Sequence, residues 1–445
     1  MYTRNRTMRY IANMLIRFEV SNFRSIGPPV ELSMIAVDRD RAAVREVVPL
    51  GVDLLTLAAI YGPNASGKSN VVASLGWLRN AIDRSLRLWE EEIPIEPFAF
   101  VDGPPSATEF SIELAIEGVR FEYLLSLSRS GVEYEALFHY PEKKRRRIFE
   151  REGSELKLQR GLGNLSGTRE LLTDTTLALS VARRFDEPLV TDFVHEIQRM
   201  QILGESANST SRLRGFRRYV GIGSTLGSRN TMRWFEEDQL ALFADQMESD
   251  LKLIDGREQA LALLKLADLG IEDVLVDNVQ VKLGDEDIRT QKRIRLLHKA
   301  GSHIAPLDFA SESDGTRTWF DLIGPVLSAL RRGSIVVFDE LDASLHPTLS
   351  AELLRIFSDS KTNPLGAQLV FTTHDTSLLN HLNRDEVWLT EKKSDGTTRL
   401  GALAEFAGER VRKSQNLESA YLHGRFGALP QLDQGAFLRA LGLIG

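Results

Sequence analysis

Four short stretches of this chain carry residues whose types and spacing suit phosphate chemistry. The first is Gly62-Pro63-Asn64-Ala65-Ser66-Gly67-Lys68-Ser69-Asn70, which fits G-x-x-x-x-G-K-[ST]. Gly62 and Gly67 let the backbone turn so that successive N–H groups point inward as an anion nest at a helix N-terminus. Lys68 brings a positive charge toward β- and γ-phosphates, and the Ser69 hydroxyl suits Mg²⁺. The bland alternative is a glycine turn beside a surface lysine. The flanks argue against it, because the apolar run Leu54–Ile60 reads as a buried parallel strand and Val71–Leu78 as a helix. Strand, loop and helix in that order imply a bound nucleoside triphosphate.

The remaining stretches supply what such a site needs next. Gly333–Glu340 reads as a second buried strand, ending in Asp339 and Glu340. Ligands of open α/β sheets sit beyond the carboxyl ends of the strands, so both acids belong beside the phosphate loop. Asp339 is then expected to hold Mg²⁺, through water, and Glu340 to polarise the attacking water. A strand that merely ends in a solvated acidic turn is the weaker reading. Gln368–Asp375 is a third such strand, and His374 near its end is placed to touch a γ-phosphate, although a histidine there could be purely structural. Upstream, Ser313 is a natural N-cap for a helix whose apolar positions are Trp319, Phe320, Leu322, Ile323, Val326 and Leu327. The free N–H groups after Ser313 offer a second anion site.

The elements that must position these residues make an α/β chain. Its 445 residues, 42% hydrophobic and 26% charged, suffice for one large or two to three ordinary soluble domains. A net charge of −7 argues against a wholly basic nucleic-acid coat. The absence of cysteine excludes disulfides, thiolate zinc sites and thiol chemistry, and suits a reducing cytoplasm. No uninterrupted apolar run reaches membrane-spanning length, so no membrane partner is expected. Residues 1–13 read as a loose extension, and Met14 opens the first strand, Leu15–Val20. Between Phe98 and Phe138 the pattern turns to period two, broken by Gly118 and Gly131, which predicts an antiparallel meander. Lys143–Arg147 is the densest positive block and reads better as a solvated hairpin rim than as a phosphate patch. From about 165 to 270 the chain reads as helical, with apolar clusters at Leu240–Ala244 and Leu261–Leu266. Arg212, Arg214, Arg217 and Arg218 around Phe216 and Tyr219 are a weak nucleic-acid pattern. Strands resume near Val274 and Ile294; the Arg293–His298 spacing of some ribonucleases is better explained by a strand edge.

The order GPNASGKSN, SDGT opening a helix, IVVFDE-LDASLHP and FTTHD resembles an ABC-type ATPase head of the RecF/SMC/OLD branch. MLIRFEVSNFRSI, DLGIEDV at 268–274, RDEVWLTEK at 384–392 and NLESAYLHGRFGALP at 416–430 add a resemblance to the stand-alone, RloA-like AAA-family ATP-binding proteins of prokaryotic defence and restriction islands. The resemblance implies a parallel-sheet P-loop core plus an antiparallel β-subdomain. Residues 14–164 would form the N-terminal lobe, 165–285 a mainly helical insertion, and 286–445 the C-terminal lobe. It implies two heads packed head to tail around ATP and Mg²⁺, with Ser313 and Gly315 of one completing the site of the other. His374 would sense the γ-phosphate, Asp342 would carry the signal across the interface, and Arg24 would contact nucleotide. The glutamine such heads offer on the lobe-joining loop is not found around Pro94–Val101. Nor does an Asp-x-Asp cluster follow His374, so no Toprim nuclease domain is expected, and the effector would be a separate partner such as a Toprim-type nuclease. The implied function is the ATP-driven sensor or switch of an anti-phage system. The alternatives are a RecF-like DNA-binding repair ATPase and a scaffold that ATP only glues together.

Overall fold

The apolar runs that precede the phosphate loop, the acid pair and the histidine become neighbouring parallel strands. In the computed structural model, which describes residues 13–100, 106–204, 226–236, 256–282, 288–343, 345–407 and 416–426, these are β5 (Leu57–Tyr61), β15 (Ile335–Asp339) and β16 (Gln368–Thr372). Every residue of the three is buried, as strands covered on both faces must be. They belong to a sheet ordered β11–β15–β16–β5–β17–β18, in which β11 is Gln201–Gly204, β17 Val387–Lys392 and β18 Thr398–Ala402. All pairings are parallel except β17 with β18. The period of two deals the side chains onto two faces. Ala58, Ile60, Ile335, Val337 and Val370 join the core built on helix α1 (Lys68–Leu88). Leu57, Ala59, Tyr61, Val336, Phe338, Leu369 and Phe371 join the other core, with Trp319, Phe320 and Leu353.

Helix α1 buries Val71, Leu75, Leu78, Ile82 and Ser85, one stripe at helical spacing, and ends where Trp89 turns extended. Its core also takes in a second, fully antiparallel sheet. That sheet runs β10 (Glu155–Leu158), β9 (Arg146–Glu152), β8 (Val132–His139), β7 (Val119–Leu127), β6 (Thr108–Ile116), β1 (Met14–Ser21), β2 (Val30–Ser33). The expected meander is its centre, and the first strand of the chain pairs onto it. Helix α2 (Ala178–Ala182) is tied to this sheet by Glu135, whose carboxylate accepts from the Ala178 and Leu179 N–H groups at 2.6 and 2.8 Å. Helix α3 (Pro188–Arg199) then leads into β11 and so back to the parallel sheet. Beyond it come α4 (Asp314–Arg332) and α5 (Pro347–Ser358), and α6 (Leu417–Leu422) near the end.

One expected element divides. Leu54–Ile60 is not a single strand: β4 (Val52–Leu55) pairs antiparallel with β3 (Val44–Val47), and the chain changes sheets at buried Thr56. The Thr56 N–H and hydroxyl both donate to the Ala43 carbonyl, at 2.9 and 3.1 Å, which accounts for the break. The basic block is a rim, as expected, with Arg145 over the Phe138 ring at 3.7 Å and beside Glu122 at 3.1 Å. The strands β12 (Ile271–Lys282), β13 (Ile288–Ala300) and β14 (His303–Asp308) form a separate sheet. Arg293 pairs with Asp308 there, and His298 Nε2 lies 2.8 Å from Glu312, so both are held by carboxylates. The cluster Arg212, Arg214, Phe216, Arg217, Arg218 and Tyr219, the run Leu240–Ala244, Ser344 and the last residues of the terminal motif lie outside the described residues.

The two large sheets are joined by Gln368. Its side chain is buried, accepts from the Leu15 N–H at 2.6 Å, and donates to the Leu15 and Leu55 carbonyls at 3.0 and 2.9 Å. Leu15 sits at a register shift in the β1–β6 ladder, where a backbone N–H is available to a side chain. Replacing Gln368 with Leu removes all three bonds. At about 1–3 kcal/mol for each buried group left unpaired, the expected loss is at least about 2 kcal/mol, read as a lower urea midpoint at unchanged slope.

Candidate nucleotide site

The phosphate loop is shaped by what lies beneath it. Gly62 (φ 152°) and Gly67 (φ 106°) press against the threonines of β17 and β18. A Cβ at Gly62 would lie 2.2 Å from Thr390 Oγ1, and one at Gly67 would lie 2.1 Å from Thr398 Oγ1. Both positions therefore require glycine for space as well as for backbone angle. Ser66 Oγ meets Thr390 Oγ1 at 2.6 Å, while Thr398 Oγ1 donates to the Ser66 carbonyl at 3.0 Å. Asn70 Nδ2 donates to Ser25 Oγ at 2.7 Å, which in turn meets Thr398 Oγ1 at 2.7 Å. Pro63, Asn64 and Ala65 form the outward part of the loop, with Ala65 in the left-handed region at φ 61°. Ser69 lies half-buried in the first turn of α1.

Lys68 is buried and donates to the Gly62 and Pro63 carbonyls at 2.9 and 3.1 Å. Burial pushes its pKa down, against the charges of Glu340, Asp342 and Asp339, so all three carboxylates lie within electrostatic reach of the ammonium. The acids are placed by Thr372, at the end of the neighbouring strand. Its hydroxyl donates to Asp339 Oδ1 at 2.8 Å and accepts from the Glu340 N–H at 2.7 Å. Glu340 leaves the strand at φ 60°, a left-handed turn uncommon outside glycine, and the Thr372 bond helps hold it. Asp342 accepts the His374 N–H on both carboxylate oxygens at 3.1 Å. Burial first, then the Lys68 charge, lowers the His374 pKa below its ordinary 6.5 despite Asp342, so the ring is neutral at pH 7. Lys68, Asp339, Glu340, Asp342 and His374 thus gather at one edge of the parallel sheet.

The other expected residues stand apart from that cluster. Ser313 caps α4, its Oγ accepting from the Thr316 N–H at 3.1 Å; Ser313 and Asp314 are exposed and Gly315 is half-buried. Arg24 (φ 51°) bonds Glu96 through its side chain at 3.2 Å and its N–H to the Glu96 carbonyl at 2.7 Å. Glu96 lies just after Pro94, where no glutamine stands, and its carboxylate is engaged by Arg24. The structure adds Ser25, Thr372, Thr390 and Thr398, none of which has a spacing signal, since a lone hydroxyl matters only once a neighbouring strand is known.

A cradle only glycine fits, a buried lysine, a helix N-terminus and a hydroxyl beside an acid suit a triphosphate with Mg²⁺, the ion being one that takes few protein ligands. A P-loop parallel sheet sharing its helix with an antiparallel sheet, with the acid pair and a histidine on adjacent strands, is the arrangement that the resemblance to an ABC-type head implies. The chain belongs to the family described as "AAA domain, putative AbiEii toxin, Type IV TA system", which matches residues 57–179 and 204–380. No curated protein matches it. Among solved structures it is similar to an SMC head bound to the C-terminal winged-helix domain of ScpA, at 12% identity and TM-score 0.43, covering 87% of this chain and 97% of that one. It is similar to the SMC head of Thermotoga maritima at 13% identity and TM-score 0.39, covering 87% and 98%. For the Smc head with coiled coil and joint from Pyrococcus yayanosii the values are 13%, 0.42, 88% and 97%. At this distance the likenesses add nothing to the family assignment.

Replacing Thr372 with Val removes one hydrogen bond from each acid at once. The expected result is a rise of roughly tenfold or more in the Mg²⁺ concentration giving half-maximal ATP turnover, with a lower thermal midpoint, because a buried carboxylate and an N–H each lose a partner. A metal titration of steady-state hydrolysis checks it.

Proposed function

We propose that the chain is an ATP-hydrolysing switch that works as a head-to-tail pair, the sensor subunit of a prokaryotic anti-phage system with a separate effector. The observation that carries this reading is the gathering of Lys68, Asp339, Glu340, Asp342 and His374 at one sheet edge, while the Ser313 cap stands exposed on another helix. In this reading the loop N–H groups and Lys68 bind the β- and γ-phosphates. Ser69 and Asp339 would hold Mg²⁺ together with phosphate and water, and the ion would supply neutralisation of charge on the phosphates. Glu340 accepts the proton of the attacking water, and neutral His374 meets the γ-phosphate. Ser313 and Gly315 of a second copy cover the same phosphates with a helix N-terminus, so ATP closes the pair and hydrolysis opens it. Asp342 carries the state of one site across the interface, and Arg24 borders the nucleotide. Residues 14–164 and 286–445 then form the two lobes, and 165–285 the insertion that meets the trigger or the effector. The family description names a toxin of a toxin–antitoxin system, which supports a role in defence.

The test is steady-state ATP hydrolysis with size measured in parallel. Glu340→Gln should lower turnover by about 10²-fold or more and accumulate an ATP-bound species of twice the mass. Lys68→Ala and Ser313→Arg should each be inactive alone, yet recover turnover when mixed, because one of the two sites in the mixed pair is then intact. Equal turnover in Glu340→Gln, or no recovery on mixing, would sink the reading. Steep DNA stimulation that vanishes with salt would point to the repair ATPase instead.

A further inference from the structure

The terminal motif around Asn416–Phe426 is the sequence feature that the nucleotide site does not use. Asn416 caps α6 by accepting from the Ser419 N–H at 2.8 Å. In the first turn, Glu418 accepts from Asn380 Nδ2 at 2.7 Å and from Thr376 Oγ1 at 3.3 Å. Both donors belong to the 3-10 segment Thr376–His381, which starts two residues after His374. Asp375 caps that segment, accepting from the Ser377 N–H and hydroxyl at 2.9 and 2.6 Å. One turn further along the same face, α6 sets Tyr421 edge-on to Tyr61, with ring centroids 5.9 Å apart at 60°. Tyr61 immediately precedes Gly62, and its hydroxyl donates to the Asp375 carbonyl at 3.1 Å. Burial raises the Tyr61 pKa well above 10.0, so the donor proton stays in place across the working pH range. One short helix therefore grips both the residue that opens the phosphate loop and the turn that follows His374. A helix of six residues has little stability of its own, so these contacts decide where it sits.

We propose that α6 is a positioning element for His374: through Glu418 and Tyr421 it holds the Asp375–His381 turn and Tyr61 in one arrangement, and ATP turnover depends on that docking. The inference rests on the reading of His374 as the group that meets the γ-phosphate.

The experiment uses the full chain and compares wild type, Glu418→Ala and Asn380→Ala, each also in a His374→Ala background. It reads kcat, KM for ATP, affinity for a fluorescent ATP analogue, and thermal midpoint. Loss of one charge-assisted hydrogen bond should lower kcat about tenfold in Glu418→Ala, with KM and midpoint close to wild type. Asn380→Ala removes a partner of the same bond from an exposed position and should do the same, which keeps the test valid if Glu418→Ala folds poorly. In the His374→Ala background neither change should add a further loss. Unchanged kcat in both single variants overturns the proposal while the ATPase reading stands. So does an equal loss with and without His374, because the helix would then act by another route. A wild-type protein that binds the analogue but does not turn over ATP overturns the function reading itself, and the proposal with it.

Discussion

The parallel register of β5, β16 and β15 is the constraint on which the site depends. Phe338 lies opposite Phe371, and Thr372 opposite Ile60, so the three strands end level. Gly62, Glu340 and His374 consequently leave the sheet at one edge, although they lie far apart in the chain. A slip of one residue in β16 would exchange its faces. The Thr372 hydroxyl would turn away from Asp339, and Val370 would leave the α1 core for the opposite one. Complete burial on both faces makes that exchange costly, which is why three apolar strands can hold polar groups in fixed relation.

Around that edge, close approach does the remaining work. The phosphate loop has no room for a side chain at Gly62 or Gly67 because Thr390 and Thr398 lie directly against it. Thr390 comes from β17, beside β5, and Thr398 from the edge strand β18; Thr398 also binds Ser25, which follows the first strand of the antiparallel sheet. The loop is thus a meeting point of both large sheets rather than a turn in one of them. Gln368 makes the same connection at the opposite end of β16, bonding Leu15 and Leu55. Because the core on α1 takes in residues of both large sheets, movement of either sheet would be felt at Lys68.

Much of this was legible in the residues. The glycine–lysine loop, the two acids after a buried strand, the Ser313 cap and the amphipathic positions of α4 are local patterns of three to four residues or one helical period, and the structure places each on the expected kind of element. Leu54–Ile60 reads as one strand because an apolar run does not reveal which sheet it joins; the Ala43 carbonyl, reaching Thr56 from the turn before β3, makes the division. Thr372, Thr390 and Gln368 lie in stretches the sequence marks and Thr398 does not, but nothing local marks any of the four side chains as a bridge between strands. A threonine in a buried strand looks like any β-branched residue until its neighbour is known.

By itself, then, the sequence determined the chemistry on offer: an anion nest, a lysine, two carboxylates and a histidine, each at the end of an element whose period could be read from its own side chains. Only the tertiary structure decided their mutual geometry. Strand order, register and the hydroxyls that bridge adjacent strands are settled by contacts between residues far apart in the chain, and no local period encodes them. The neutral His374 ring and the depressed Lys68 belong to that second class: burial lowers both, the Lys68 charge adds to the shift at His374, and the carboxylates of the neighbouring strand and its turn oppose the shift at Lys68.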